Sequence, residues 1–283
     1  MSATAVEHGS GKGAADENFP VGSWLLPARL RPHVAAFYAF ARAADDIADA
    51  PDLSPDDKIS RLDRLEQALV DGSDDPALIK AERLRISLAQ TDVTSRHPRD
   101  LLSAFRQDAT QTRYPDWASL ADYCARSAAP VGRYLLDLHG EDAALYPASD
   151  ALCAVLQVLN HLQDCADDLR ALDRCYLPLD RLAAYGAAVE DLTAPAASPA
   201  LRAALTDIAH ACDPWLAQAR RLAPALRHRG LAAESHVIVG VAHSLHARLL
   251  RQDPLAERVK LSKAEVLGHA MRGLWALVAG VRG

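Results

Sequence analysis

Apolar residues in this chain recur at the spacing of helices and seldom alternate as strands do. From Arg31 to Ala48 they follow a helical period; Pro32 suits a first turn and Pro51 forbids continuation, which predicts a helix ending at Asp49 or Ala50. Further helices are predicted at about 55–71, 75–90, 98–109, 116–138, 149–172, 178–186, 198–228, 231–251 and 262–280. Ala and Leu dominate an apolar content of 50%, and aromatics make up 5%. Such a composition favours stacked helices over a sheet. The expected fold is all-α, a single helical bundle over residues 18–283 around a central apolar cavity, preceded by a flexible arm at 1–17 that lacks apolar periodicity. The loop from Gly186 to Ser198 is flanked by apolar helices and does not read as an interdomain linker.

Charge and cysteine content narrow the function. With 31 basic and 37 acidic residues the net charge is −6, so no nucleic-acid footprint is expected, and an anionic ligand needs local groups or metal. Cys124, Cys153, Cys165, Cys175 and Cys212 have no CxxC spacing, which argues against a disulfide framework or a zinc site and points to the cytoplasm. No apolar run is long enough to span a bilayer. The helix carrying Leu267, Met271, Leu274, Trp275 and Val278 is expected to complete the core, with peripheral contact at the inner membrane face as the alternative.

Two helices carry polar faces. At about 100° per residue, Tyr38, Arg42, Asp45 and Asp49 share an arc of about 60°, and Gln157, Asn160, Asp164 and Asp168 share one of about 80°. One acid pair at i, i+4 is usually a solvated face. Here both pairs sit near helix C-termini, where the macrodipole disfavours anions by ~0.3–1 kcal/mol each, and like charges at that spacing repel. The second face belongs to a helix apolar on its other sides and is expected inside the bundle, where carboxylates need compensation. Mg²⁺ supplies it, taking hard oxygen ligands from carboxylates, water and phosphate. Repetition of the pattern on two helices implies a charged pole on an apolar cavity, suited to a diphosphate head with a hydrocarbon tail. Arg42 is placed to neutralise phosphate.

The segments FYAFARAADDIAD (37–49) and QVLNHLQDCADDLRALDRCYLP (157–178) resemble the two aspartate-rich motifs of the squalene and phytoene synthase family, and YCARSAAPVGRYLL (123–136) resembles its intervening helix. ENFPVGSWLLP (17–27), SAAPVGR and the pair Gln163-Asp164 are most similar to its bacterial hydroxysqualene-forming branch; many relatives carry Arg where Gln163 stands. The resemblance implies Mg²⁺ ligation by Asp45, Asp49, Asp164 and Asp168 with Asn160 added, and diphosphate binding by Arg42. It also implies substrate contacts from Gln157 and Gln163, and aromatic cavity positions at Phe19, Tyr38 and Tyr123, for which core packing is the alternative. Tyr38 and the Gln157 face are candidates for positioning water. The implied reaction ionises presqualene diphosphate, with water capturing the rearranged cation, and substrate and product pass to and from other squalene-pathway enzymes. Condensation of two prenyl diphosphates is the alternative activity, and an assembly or lipid-binding role is the non-enzymatic one.

Three further features have plain structural readings. Pro130 is expected to bend a helix, and the small residues Ser127 to Gly132 either widen a cavity or permit close packing. His236, His243 and His246 share a helical face, where interhelical or surface positions are commoner than a metal site. Cys165 reads as a small apolar filler beside Asp164.

Overall fold

The computed structural model describes residues 25–279, with side chains through residue 273. Phe19 and the arm at 1–17 therefore lie outside the described residues. The helices are α1 (Arg31–Asp49), α2 (Pro55–Asp71), α3 (Ile79–Thr91), α4 (Arg96–Asp108), α5 (Trp117–Ser127), α6 (Ala129–Leu138), α7 (Tyr146–Leu172), α8 (Leu179–Ala184), α9 (Pro199–Ala211), α10 (Asp213–Ala219), α11 (Leu222–Ala225), α12 (Arg229–Leu249) and α13 (Lys263–Ala279). The fold is all-α apart from a short parallel pair, β1 (Arg113–Tyr114) and β2 (Cys175–Pro178), with Arg113 opposite Cys175 and Tyr114 opposite Pro178. That pair is not visible as a run of strand formers. It matters because it delivers Arg174 and Tyr176 beneath α1.

Helix α1 starts with proline in its first turn and buries Val34, Phe37, Phe40, Ala44 and Ile47, one face at 3.6-residue spacing. Pro51 ends it. Helix α7 runs 27 residues, about 40 Å, and stops at Asp173, which adopts the left-handed conformation at φ 51°. It packs against α5, α6, α10 and α12, the centre of the bundle.

Two predicted helices are broken. The 116–138 segment splits at Ala128 (φ −124°, ψ −48°), because Pro130 lacks a donor and its ring excludes the preceding turn; the expected bend is a full restart as α6. The 198–228 segment divides into α9, α10 and α11, with Pro214 in the first turn of α10 and Pro224 inside the short α11. The 75–90 prediction begins as a 3₁₀ turn at Pro76–Leu78 before α3.

At Gly132 close packing and cavity formation coincide. An added methyl would overlap Ser149 Oγ and stand 2.8 Å from Cys153 Sγ on α7, and Gly132 also lines the central cavity. Gly132→Val is expected to push α6 away from α7 and cost about 1–3 kcal/mol, measured as a lowered urea midpoint with an unchanged slope.

Helix α13 packs on α12 through small residues: a methyl on Gly273 would lie 2.5 Å from Val237 Cγ2, and one on Gly240 2.5 Å from His269 Nδ1. Arg248 holds Glu265 through two bonds of 2.6 and 2.7 Å. The predicted core face is corrected here: Leu267 and Met271 are 62% and 58% exposed, because the glycine-bearing face and not theirs meets α12. The side chains of Leu274, Trp275 and Val278 lie outside the described residues. Among the described residues, no helix is long and apolar enough to cross a membrane.

Candidate active site

A cavity of about 280 Å³ opens between α1, α5, α6, α7 and α12. Along α1 its wall runs Val34, Phe37, Tyr38, Ala41, Arg42, Asp45, and along α7 it runs Ser149, Leu152, Cys153, Leu156, Gln157, Asn160. Both helices thus pass from mainly apolar to polar toward their C-termini. The cavity has a hydrocarbon-like body and one charged end, as the sequence spacing implied. Leu26, Leu222, Leu231 and Ile238 close its other walls.

At the charged end, Arg42 pairs with Asp45 at 3.1 Å and with Asp46 at 2.8 Å, so the acids of its own helix orient its guanidinium. Burial, reinforced by the Asp49 carboxylate, pushes the Asp45 carboxyl up to about 8 against the opposing pull of Arg42. Negative charge is in excess there. Asp49, one turn on, accepts from Arg174 Nη1 at 2.5 Å, while Arg174 Nη2 donates to the Ala48 carbonyl at 2.7 Å.

Arg174 belongs to a buried network that the sequence did not disclose. Its Nη1 lies 3.5 Å from the Tyr176 hydroxyl, which donates to Asp108 Oδ1 at 3.0 Å; Tyr123 donates to Asp108 Oδ2 at 2.8 Å. Burial raises the Asp108 carboxyl to about 6, and Arg174 with the two hydroxyls restrains the rise. The Tyr176 ring stacks on His161 at 3.8 Å, His161 Nε2 meets Gln157 Nε2 at 3.2 Å, and His161 Nδ1 stands 3.9 Å from Asp168. The network therefore reaches from Asp49 on α1 to Gln157 and Asp168 on α7. Arg174 follows a left-handed turn and obeys no helical period; the signal for Asp108 was an acid on the otherwise apolar face of α4.

Several predicted positions need correction. Tyr123 is buried but does not line the cavity, since its hydroxyl is turned toward Asp108. Gln163 Nε2 donates to the Val259 carbonyl at 2.5 Å, tying α7 to the segment before α13 instead of facing the cavity. On the second polar face Gln157 and Asn160 line the cavity and are half-buried, as is Asp168, whereas Asp164 is exposed and neither aspartate lines the cavity. Tyr38 lies on the cavity wall as expected, and Cys165 is a buried filler.

The histidine face takes the interhelical and surface positions expected of it, with His236 exposed. His243 Nε2 accepts from Arg220 at 2.8 Å, and His246 Nε2 stands 3.0 Å from the Ala209 carbonyl and 3.3 Å from Asp213. Near the surface His246, His210 and Asp213 bring ligating atoms within 4.8 Å of one another.

Asp45, Asp49, Asn160, Asp164 and Asp168 carry the hard oxygen donors that divalent cations take. Among the described residues, the acid and histidine side chains already close enough to share one ion are instead His210, Asp213 and His246.

Comparison with known proteins agrees with this architecture. The chain is 47% identical over 263 residues to a hydroxysqualene synthase of Rhodopseudomonas palustris, covering 93% of this chain and 89% of that protein. It is 44% identical over 256 residues to that of Sinorhizobium fredii, covering 90% and 87%. The crystal structure of squalene synthase HpnC from Alicyclobacillus acidocaldarius superposes with a TM-score of 0.74 at 30% identity, covering 84% of this chain and 90% of that one. Residues 13–265 match the squalene/phytoene synthase family model, and with apolar-to-polar walls on α1 and α7 the chain belongs to the squalene/phytoene synthase family.

Proposed function

We propose that the protein is a hydroxysqualene synthase, converting presqualene diphosphate and water to hydroxysqualene and diphosphate. The observation that carries this reading is the cavity's polarity: an apolar body ending in Arg42, Asp45, Gln157 and Asn160. The near full-length identity to hydroxysqualene synthases supports the choice among family reactions.

In this reading the diphosphate lies at the charged end and the two hydrocarbon arms fill the cavity. Asp45 and Asp49 from α1, with Asn160, Asp164 and Asp168 from α7, would hold Mg²⁺, which when bound supplies the positive charge that stabilises departing diphosphate. Arg42, oriented by Asp45 and Asp46, would offer its guanidinium to phosphate oxygens. Arg174 holds the Asp49 carboxylate in place from behind. Tyr38 lines the cavity one turn before Arg42, and in this reading its π face would favour a passing carbocation. Leu135, Leu152, Leu156 and Ile238 keep bulk water away from that cation.

Mass analysis of products from purified protein, Mg²⁺ and presqualene diphosphate tests the reading, and a hydroxylated C30 alcohol is the expected product. Farnesyl diphosphate alone is expected to remain unconsumed. Its conversion to a coupled C30 product would replace the assignment with a condensing synthase.

A further inference from the structure

Glu234 is a buried carboxyl in a hydrocarbon wall. It lies on α12, 5% exposed, and lines the cavity between Leu231 and Ile238. Its Oε2 is buried and has no hydrogen-bond partner among the described residues. The neighbouring positions Ala233 and Val237 face α13 through Gly273, so the far side of α12 is covered and Glu234 is directed inward. Burial alone pushes its carboxyl up to about 7, with no charged neighbour contributing. A second orphan, Ser127 Oγ, lines the same cavity from the end of α5.

A buried carboxyl oxygen with no protein partner costs stability unless something in the cavity bonds to it. Leu231 and Ile238 on either side of it have nothing to bond with, and a substrate with hydrocarbon arms offers nothing there either. A water molecule does, and the cavity far exceeds the ~10–15 Å³ that one water requires. The reaction proposed above needs one water inside a space that otherwise excludes it.

Resting on that reading, we propose that Glu234 holds the reacting water through Oε2 and accepts its proton. The carbon–oxygen bond of presqualene diphosphate breaks with its electron pair leaving on diphosphate, and the cation rearranges. A lone pair of the water then forms the new carbon–oxygen bond, and the proton released passes to the Glu234 carboxylate. The neutral carboxylic acid returns that proton to solvent when the products leave, so no reductant or other reactant is required. Both protonation states of Glu234 are accessible near neutral pH, which suits a proton acceptor.

The test compares wild type with Glu234→Gln and Glu234→Leu, given presqualene diphosphate and Mg²⁺ in ¹⁸O-labelled water. Hydroxylated C30 alcohol is measured by mass spectrometry against diphosphate released. Wild type is expected to give a ratio near unity with one label incorporated. Both variants are expected to lower that ratio about tenfold or more, a modest share of the 10²–10⁴-fold typical of proton-transfer groups, with dehydrated C30 polyenes making up the difference. Both should melt at or above the wild-type temperature, because a buried unpaired carboxyl has been removed. An unchanged ratio in both variants overturns the proposal, as does a marked loss of thermal stability in both, which would make Glu234 a structural strut. Absence of alcohol from wild type rejects the hydroxysqualene reading itself, and the role of Glu234 with it.

Discussion

Asp45→Asn is expected to lower turnover of presqualene diphosphate by about 10²–10³-fold, the scale seen when one preorganised electrostatic partner of a transition state is lost, while making the metal-free protein more heat-resistant at neutral pH. The two effects share a cause. Burial and the Asp49 carboxylate raise the Asp45 carboxyl from its ordinary 3.8 to about 8. The folded state therefore binds a proton that the unfolded chain releases at lower pH. For a folded value above the unfolded one, this contribution to stability is fully present below about 4 and declines as pH rises toward 8. Asparagine removes that decline. Thermal melts in chelator at pH 5 and pH 8 should show a larger fall for wild type than for the variant. Added Mg²⁺ should recover wild type at pH 8 more than the variant. Activity within a few-fold of wild type would remove Asp45 from the proposed metal site.

Arg174→Met is expected to cost about 3–5 kcal/mol, as breaking a buried ion pair does when one charge is left behind. Arg174 is 4% exposed and contacts Asp49, the Ala48 carbonyl and Tyr176. Methionine fills much of the volume and satisfies none of them. Asp108, linked to it through the Tyr176 hydroxyl, would also lose the cation that restrains its protonation. Arg174→Lys should recover only part of the loss, because an ammonium cannot reproduce the planar fork that spans three acceptors. Urea unfolding measures both variants, and a loss under about 1 kcal/mol for Arg174→Met would show that the network bears little of the fold. Turnover should fall as well, since Asp49 loses the group that orients it.

Residues whose placement depends on one helix were readable beforehand. Tyr38, Arg42 and Asp45 share a face because α-helical geometry places i, i+4 and i+7 together, and the same rule aligned Gln157 with Asn160. Both faces line the cavity. Tyr123 was harder, because the period shows that it faces inward but not which neighbour receives its hydroxyl; Asp108 on α4 does. Gln163 lies beside an aspartate in sequence, yet its amide is captured by Val259 almost a hundred residues later. Glu234 had a local signal in a lone acid within the run LAAESHVIVGV, but an acid on an apolar helix says nothing of whether it is paired until its neighbours are in place.

The sequence by itself determined the all-α class, the course of α1 and α7, and the alignment of each polar face, because helical period, proline and chain composition act over a few residues. Only the tertiary structure decided that Arg174 stands behind Asp49, that Asp164 is exposed, and that Glu234 enters the cavity with its Oε2 unpartnered among the described residues. Those outcomes rest on contacts between segments far apart in the chain, formed after a left-handed turn at Asp173, a short strand pair and close helix packing at glycine, none of which carries a periodic signature.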